Sequence, residues 1–255
     1  MIHKIADLDV FKSLHTKDTP LVLLNIWDAG SAKIIADAGA KAIATGSWAV
    51  AAANGYQDGE ALPFDIALQT LDLIVKAVDL PVTMDIESGY GTSADQVGET
   101  ITRAVNTGAI GINLEDQVIG ANALYDIKDQ AERIAACRKS ADAAGVPAFI
   151  NARSDIFFQA DAETPIEQLV NKVLERATAY HQAGADGLFT PGLVDEAAIK
   201  AICDASPMPV NIMMMPNGPD LGTLAKLGVS RISYGPAPYL SAMESIIAQS
   251  RTIYS

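Results

Sequence analysis

Eight short apolar segments, introduced alternately by a proline and a glycine, limit this chain's folding options more than any other feature. Segments 21–25, 82–87, 148–153 and 210–215 follow Pro20, Pro81, Pro147 and Pro209. Interleaved with them, 42–45, 111–114, 187–190 and 231–234 follow Gly39, Gly108, Gly184 and Gly228. Proline is tolerated where a strand begins, and glycine accepts the left-handed position just past a helix C-terminus. The stretches between them carry helical periodicity, as in 63–78, 94–106, 126–144, 166–183, 195–205 and 218–227, with 239–253 as the last helix. Short Val/Ile/Leu-rich strands alternating with helices read as a parallel sheet covered on both faces. Eight such units in 255 residues predict one (β/α)8 TIM barrel domain spanning 1–255. The competing architecture, a doubly wound open sheet, lacks its G-x-G-x-x-G turn after the first strand.

Charge and composition narrow the function. A formal net charge of −13 argues against nucleic acid and anionic membrane surfaces as partners. No apolar run approaches the ~20 residues of a membrane span, and the first residues lack the apolar core of a signal peptide. Cys137 and Cys203 are too few for a disulfide framework or a zinc site, so a reducing cytoplasm is expected.

Barrel enzymes place their chemistry at the C-terminal ends of the strands. The third strand ends in Asp85 and Glu87, which strand alternation would point to one side. Two like charges there remain ionised only beside a cation, and oxygen donors suit Mg²⁺ or Mn²⁺. The fourth strand ends in Asn113, Glu115, Asp116 and Gln117, bringing a third acid to the same rim. The expected shell has Asp85 bound directly, Glu87 and Glu115 reaching the metal through water, and a 2-oxo acid completing it. Arg153, sharing a strand face with Asn151, is placed to grip a carboxylate in bidentate fashion. The turn Thr45-Gly46-Ser47-Trp48 presents backbone N–H groups to a second acidic oxygen. None of His3, His15 and His181 falls at a strand end, which argues against histidine acid–base chemistry and histidine-bound metals. Asp28 and Asp155 read equally as helix caps or ligand contacts, and the Met213–Met215 run reads as core filler. Two loops flank the mouth, one running from Trp48 to Glu60 and the other from Gln117 to Asp126.

With these residues in place, the chain resembles the isocitrate lyase/phosphoenolpyruvate mutase superfamily over nearly its whole length. The matching stretches are Asn25-Ile26-Trp27-Asp28-Ala29-Gly30-Ser31-Ala32, Thr45-Gly46-Ser47, Asn54-Gly55-Tyr56-Gln57-Asp58, Asp85-Ile86-Glu87-Ser88-Gly89-Tyr90-Gly91, Leu114-Glu115-Asp116-Gln117 and Asn151-Ala152-Arg153-Ser154-Asp155. The resemblance implies a (β/α)8 barrel using Mg²⁺ or Mn²⁺ to make or break C–C or P–C bonds beside a 2-oxo acid. It also implies a homodimer or homotetramer that exchanges the last helix between subunits. By the same resemblance, Asp85 is the direct metal ligand, Glu87 and Glu115 are the outer acids, and Asp58 is the acid of a gating loop. Gly46 and Ser47 hold the substrate carboxylate from one side and Arg153 from the other. The family's lyases carry a Lys-Lys/Arg-Cys-Gly-His motif after the fourth strand. This chain has Val118-Ile119-Gly120-Ala121-Asn122-Ala123 there, and Thr190-Pro191 where the mutases have a histidine. The expected activity is therefore a Mg²⁺-dependent lyase or decarboxylase of a small 2-oxo or 2-hydroxy di-acid, proceeding through an enolpyruvate-type species. The alternatives are a phosphoenolpyruvate phosphonomutase or phosphonopyruvate hydrolase, and a non-catalytic 2-oxo acid-binding barrel. The loop 117–126 is expected to decide which bond is broken.

Overall fold

The structure is a computed structural model that describes residues 2–161 and 163–255, with side chains described from residue 7 onward. Its strands are β1 (Leu21–Leu23), β2 (Ile43–Ala44), β3 (Val82–Asp85), β4 (Gly111–Glu115), β5 (Phe149–Arg153), β6 (Gly187–Phe189), β7 (Val210–Met213) and β8 (Arg231–Ser233). All pair in parallel, in the order β1-β8-β7-β6-β5-β4-β3-β2. The remaining seam, between β1 and β2, is closed just beyond their ends: Ile26 N–H donates to Ala44 O at 2.9 Å and Gly46 N–H to Ile26 O at 3.0 Å. Asn25 reinforces it, donating to Thr45 O and accepting from the Tyr234 and Gly235 amides at 3.0 and 2.9 Å. The chain is thus the (β/α)8 barrel that the proline–glycine punctuation predicted.

The helices are α1 (Ile2–Ser13), α2 (Ala29–Asp37), α3 (Ser47–Ala53), α4 (Phe64–Ala77), α5 (Ala94–Thr107), α6 (Ile127–Ala143), α7 (Ile166–Gln182), α8 (Glu196–Ala205), α9 (Leu221–Lys226) and α10 (Ala237–Tyr254). None of the described helices is long and apolar enough to cross a membrane. Strand alternation divides the interior into two shells. Outward residues such as Met84, Ile112, Leu114, Ile150, Leu188 and Ile232 pack against the helices in one continuous core. The inward set is polar towards the top of the barrel and apolar below, where Leu8 and Phe11 of α1 join Leu21, Leu23, Ala44 and Phe149. Asp28 resolves as the N-cap of α2, in a reciprocal capping box with Ser31. Cys137 and Cys203 are free and buried.

Two features depart from the sequence reading. Residues 48–53, assigned to a mouth loop, join Ser47 in α3. Its sequence SWAVAAA buries Ala49, Val50 and Ala51 and has no charged face to reveal the helical period. Helix α10 has the opposite anomaly, with no buried residue along its length. It exposes Leu240, Ile246, Ile247 and Ile253, while Val22 and Leu24 on the outer side of β1 are also exposed.

The plug at the base contains a titratable group. The His15 ring stacks on Phe149 at 4.4 Å and meets Phe11 edge-on, and its Nδ1 lies 2.8 Å from Phe11 O. Burial, followed by the nearby Arg231 charge, lowers its pKa from 6.5 to about 3. The unfolded chain therefore takes up a proton that the folded chain refuses. This contribution to stability is complete above pH 6.5 and is lost as the pH falls towards 3, at up to about 1.4 kcal/mol per pH unit. Urea unfolding between pH 7 and 5 should show His15→Phe losing less stability than the parent. Parallel profiles would mean that His15 protonates freely in the folded state.

Candidate active site

The C-terminal rim of the strands encloses a cavity of about 220 Å³. Asn25, Gly46, Ser47, Trp48, Asp58, Asp85, Asn113, Arg153, Phe158, Phe189, Met213, Ser233, Gly235 and Pro236 line it. Strand register explains the convergence: Asp85 lies beside Asn113 and Asn113 beside Asn151, while Glu115 lies beside Arg153 and Arg153 beside Phe189.

Asp85 closes β3 and presents its carboxylate to the cavity. Its Oδ2 accepts from Ser47 Oγ and its Oδ1 from Glu87 N–H, both at 3.2 Å, and its own N–H is held by Thr45 Oγ1 at 2.9 Å. Thr45 thus positions Asp85 from outside the cavity lining. Asn151 also sits below the lining, donating to Asn113 Oδ1 at 2.9 Å. Of the expected amide pair, Gly46 N–H is committed to Ile26 O. Ser47 begins α3, whose N-cap Gly46 supplies no capping side chain.

Glu87 does not obey strand alternation. β3 ends at Asp85, and Glu87 takes φ 51°, a left-handed conformation uncommon for a residue with a side chain. Its Oε2 accepts from the Gly59 and Glu60 amides at 2.8 and 2.6 Å, and its Oε1 from Tyr90 O–H at 3.2 Å. Glu60 Oε1 in turn accepts from Tyr90 N–H at 2.7 Å. Among the described residues, the non-glycine positions with positive φ are Glu60, Glu87 and Tyr90, all at this one joint. Strained backbone persists only where the surroundings over-determine it, and it gathers at functional sites. The joint holds the 54–63 loop over the rim and brings Asp58 to the cavity.

Arg153 is gripped on two sides. Its Nε and Nη2 donate to Asp155 Oδ1 and Oδ2 at 2.6 and 2.8 Å, and its Nη1 meets Glu115 Oε2 at 2.8 Å. Asp155 is therefore a side-chain anchor rather than a helix cap. Its own N–H is held by Asp116 Oδ1 at 2.9 Å, while Asp116 Oδ2 accepts from Tyr180 O–H and Arg176 Nη1 at 2.9 and 3.2 Å. Asp116, next to Glu115, thus faces the helices and supports the site from behind.

The acids crowd one another. Burial and then Asp58 push Glu87 up to about pH 7, and burial and then Asp85 raise Asp58. Burial raises Glu115 as well, with Arg153 opposing it. Burial also disfavours the Arg153 charge, yet Glu115 and Asp155 hold the guanidinium above its ordinary range. The donors facing the cavity are oxygens, which suits a hard divalent cation. No group of three or more described His, Cys, Asp or Glu residues is gathered tightly enough to hold an ion by itself. Asp85 has only two long hydrogen bonds, while Glu87 and Glu115 are turned to the loop and to Arg153. That arrangement fits an ion such as Mg²⁺, which takes one or two protein carboxylates and keeps several waters. His15 and His181 lie away from the cavity, and His3 lies outside the described side chains.

Several contributors escape a reading of strand ends. Arg133 of α6 is buried and donates to the carbonyls of Ser88, Gly91 and Thr92, clamping the turn after Glu87. Its signal was present: Gln130, Arg133, Ile134, Cys137 and Ala141 form one buried helical stripe that includes two polar members. Gly89 serves packing, since a Cβ there would lie 2.8 Å from Val97 Cγ1. The 117–126 loop folds on itself, with Gln117 bridged to Leu124 and Val118 N–H on Ala123 O at 2.9 Å. None of its residues lines the cavity. Met213, read as core filler, does line it.

Because Glu87 secures the loop through two hydrogen bonds from backbone amides, Glu87→Ala should speed amide exchange at Gly59 and Glu60 by about tenfold or more. Hydrogen exchange read by mass spectrometry checks this, and unchanged protection would place the loop's anchor elsewhere.

Known proteins resemble this chain over most of its length. A crystal structure from Burkholderia cenocepacia J2315, provisionally named a phosphonomutase, is 51% identical, with a TM-score of 0.95 over 98% of this chain and 99% of that one. The 2-methylisocitrate lyase of Escherichia coli K12 is 31% identical over 206 residues, 78% of this chain and 67% of its own. An oxaloacetate decarboxylase of Bradyrhizobium sp. is 28% identical over 94% of this chain and 83% of its own. The profile of the phosphoenolpyruvate phosphomutase family matches residues 11–254, and the chain belongs to that family.

Proposed function

We propose that the chain is a Mg²⁺- or Mn²⁺-dependent lyase or decarboxylase of a small 2-oxo or 2-hydroxy di-acid, working through an enolpyruvate-type species. The observation that carries this reading is the open carboxylate of Asp85, in a cavity whose acids outnumber its one lining guanidinium. Bound there, a divalent cation would supply Lewis-acid stabilisation of enolate charge. Asp85 would hold it, with Glu87 and Glu115 ordering its water. Ser47 and the start of α3 would receive the substrate carboxylate from one side, and Arg153 would face it from the other. Asp58, on the loop over the cavity, is the acid–base candidate for the reacting carbon. The lyase motif with its acidic cysteine is replaced by a short hairpin outside the cavity, so cleavage by that route is not expected.

Pyruvate formation from a panel of 2-oxo and 2-hydroxy acids, oxaloacetate included, should require Mg²⁺ or Mn²⁺ and stop with EDTA. Asp85→Ala should lower kcat/KM by about 100-fold or more, the scale of losing an electrostatic stabiliser. Turnover indifferent to chelator would refute the metal role. A phosphorus-NMR change with phosphonopyruvate would move the assignment to P–C chemistry, and oxalate binding without turnover would leave a binding barrel.

The same reading includes a homodimer or homotetramer that exchanges α10. Its exposed Leu240, Ile246 and Ile247 match in character the exposed Val22 of β1 and Leu24 just beyond it, and a second copy would cover both. Light scattering should report an even-numbered oligomer, and removal of 237–255 should dissociate or aggregate it. A monodisperse full-length monomer would exclude the exchange.

A further inference from the structure

We infer that Asn113 is a substrate-binding residue and not a ligand of the cation: the buried Arg231 locks its side-chain amide so that an N–H donor is offered to an oxygen of the 2-oxo acid group. The inference rests on the 2-oxo acid reading above and assigns that site a further donor.

Asn113 lines the cavity from the middle of β4, beside Asp85 in the strand register. An asparagine so close to a cation site would ordinarily turn its carbonyl oxygen to the ion, because hard cations take oxygen ligands. Here that oxygen is already occupied. Oδ1 accepts from Asn151 Nδ2 at 2.9 Å and from Arg231 Nη2 at 3.2 Å, two buried residues that do not line the cavity. The amide therefore turns Nδ2 to the cavity. Among the described residues Nδ2 has no hydrogen-bond partner, and it is not sealed in. The buried side-chain atoms left without a partner include Thr83 Oγ1 and Asn211 Nδ2 of the same strand layer, but not Asn113 Nδ2.

Arg231 is what fixes the orientation. A guanidinium has donors only, so an amide that faces it must present oxygen. A flipped Asn113 would set its own NH₂ against the Arg231 N–H and lose the bond. A buried guanidinium is costly unless a carboxylate pairs with it. Arg231 has no such pair: among the described residues its one hydrogen bond goes to Asn113, and Nε and Nη1 have none. Its remaining close neighbour of note is the Phe11 ring, 6.0 Å from its central carbon. The side chain that this charge holds in place is thus one that reaches the cavity. With a divalent cation at Asp85 the donor keeps its use. The acid's oxygens gathered there carry negative charge, and a neutral N–H binds them without competing for the ion or adding to the surrounding carboxylates.

The test is calorimetric binding to the intact protein of Mg²⁺ alone, then of oxalate with Mg²⁺ saturating. Three variants are compared with the parent, each checked for folding by its thermal melt. Asn113→Asp keeps an oxygen for Asn151 and Arg231 and replaces only the Nδ2 donor. It should bind oxalate about tenfold or more weakly, the scale of a hydrogen bond to a charged group, and Mg²⁺ at least as tightly as the parent does. The double variant Asn113→Leu with Arg231→Met removes the donor without adding a negative charge or stranding the guanidinium. It should also lose oxalate affinity, with Mg²⁺ binding retained. Arg231→Met alone should weaken oxalate binding, and the double variant should lose no more than Asn113→Asp does, because a positioning residue acts only through its partner. Losses that multiply would show Arg231 acting on its own and overturn the lock. Oxalate bound equally well by folded Asn113→Asp, or lost by it and kept by the double variant, would overturn the donor. Weaker Mg²⁺ binding by the double variant would make Asn113 a ligand and also overturn the inference. Oxalate failing to bind the Mg²⁺-loaded parent would instead remove the 2-oxo acid reading itself.

Discussion

The site depends on one buried guanidinium balancing too many carboxylates. Arg153 touches Glu115 and Asp155, Asp58 and Asp85 line the same cavity, and Glu87 feels the charge of both. Removing one partner of a buried ion pair costs about 3–5 kcal/mol, because the other charge is stranded. The surrounding structure is therefore organised to keep the pair from moving. Arg176 and Tyr180 on α7 fix Asp116, Asp116 fixes the Asp155 amide, and Asp155 fixes Arg153. That relay ties the outer helical layer to the chemistry inside. It also explains why Glu115, the last residue of β4, and Asp116 just after it have opposite duties: one turns to Arg153 and the other to the helices.

The same alternation explains what the sequence revealed and what it concealed. Barrel topology was legible because the proline and glycine punctuation is local and repeats eight times. Asp85, Glu115 and Arg153 were legible because strand ends in a barrel converge wherever the loops go. Glu87 was placed correctly at the rim for a reason that fails in detail. The strand stops two residues earlier, and φ 51° swings its carboxylate to the loop amides. A positive φ at a glutamate has no sequence signature, since it is imposed by Arg133 and the packed Gly89 turn rather than by the residue itself. Helix α3 was hidden for the opposite reason, its uniformly small and apolar sequence offering no period to read.

The barrel interior is graded from top to bottom, and Arg231 marks the transition. It is fully buried, donates to Asn113 Oδ1 at 3.2 Å, and has Nε and Nη1 without a hydrogen-bond partner among the described residues. Burial lowers its pKa to about 9, opposed by attraction to Asp85. A second positive charge thus lies beneath the acidic rim, within reach of Asp85's field but separated from the cavity by Asn113. Below it the Phe11–His15–Phe149 stack closes the base, and the Arg231 charge helps keep His15 neutral. Arg231 therefore partly offsets the rim's negative charge from below and disfavours protonation of the plug.

These gradients bear on how one scaffold can serve different substrates. The charged floor is built from strand ends and held by the inner relay, so it changes only at the cost of stranded buried charges. The apolar lining residues Trp48, Phe158 and Pro236 follow β2, β5 and β8, and Phe189 and Met213 end β6 and β7, where no side chain takes part in an ion pair. Gly192 and Gly235 make that lining tunable, because each fixes where a neighbouring side chain lies without touching the floor. The surroundings of Asp85 and of Phe158 are thus separable in physical terms: the first are set by electrostatics that tolerate little movement, the second by packing that tolerates exchange. In a family whose relatives are named for different acids, that separation would let the charged residues stay fixed while the apolar lining is refitted.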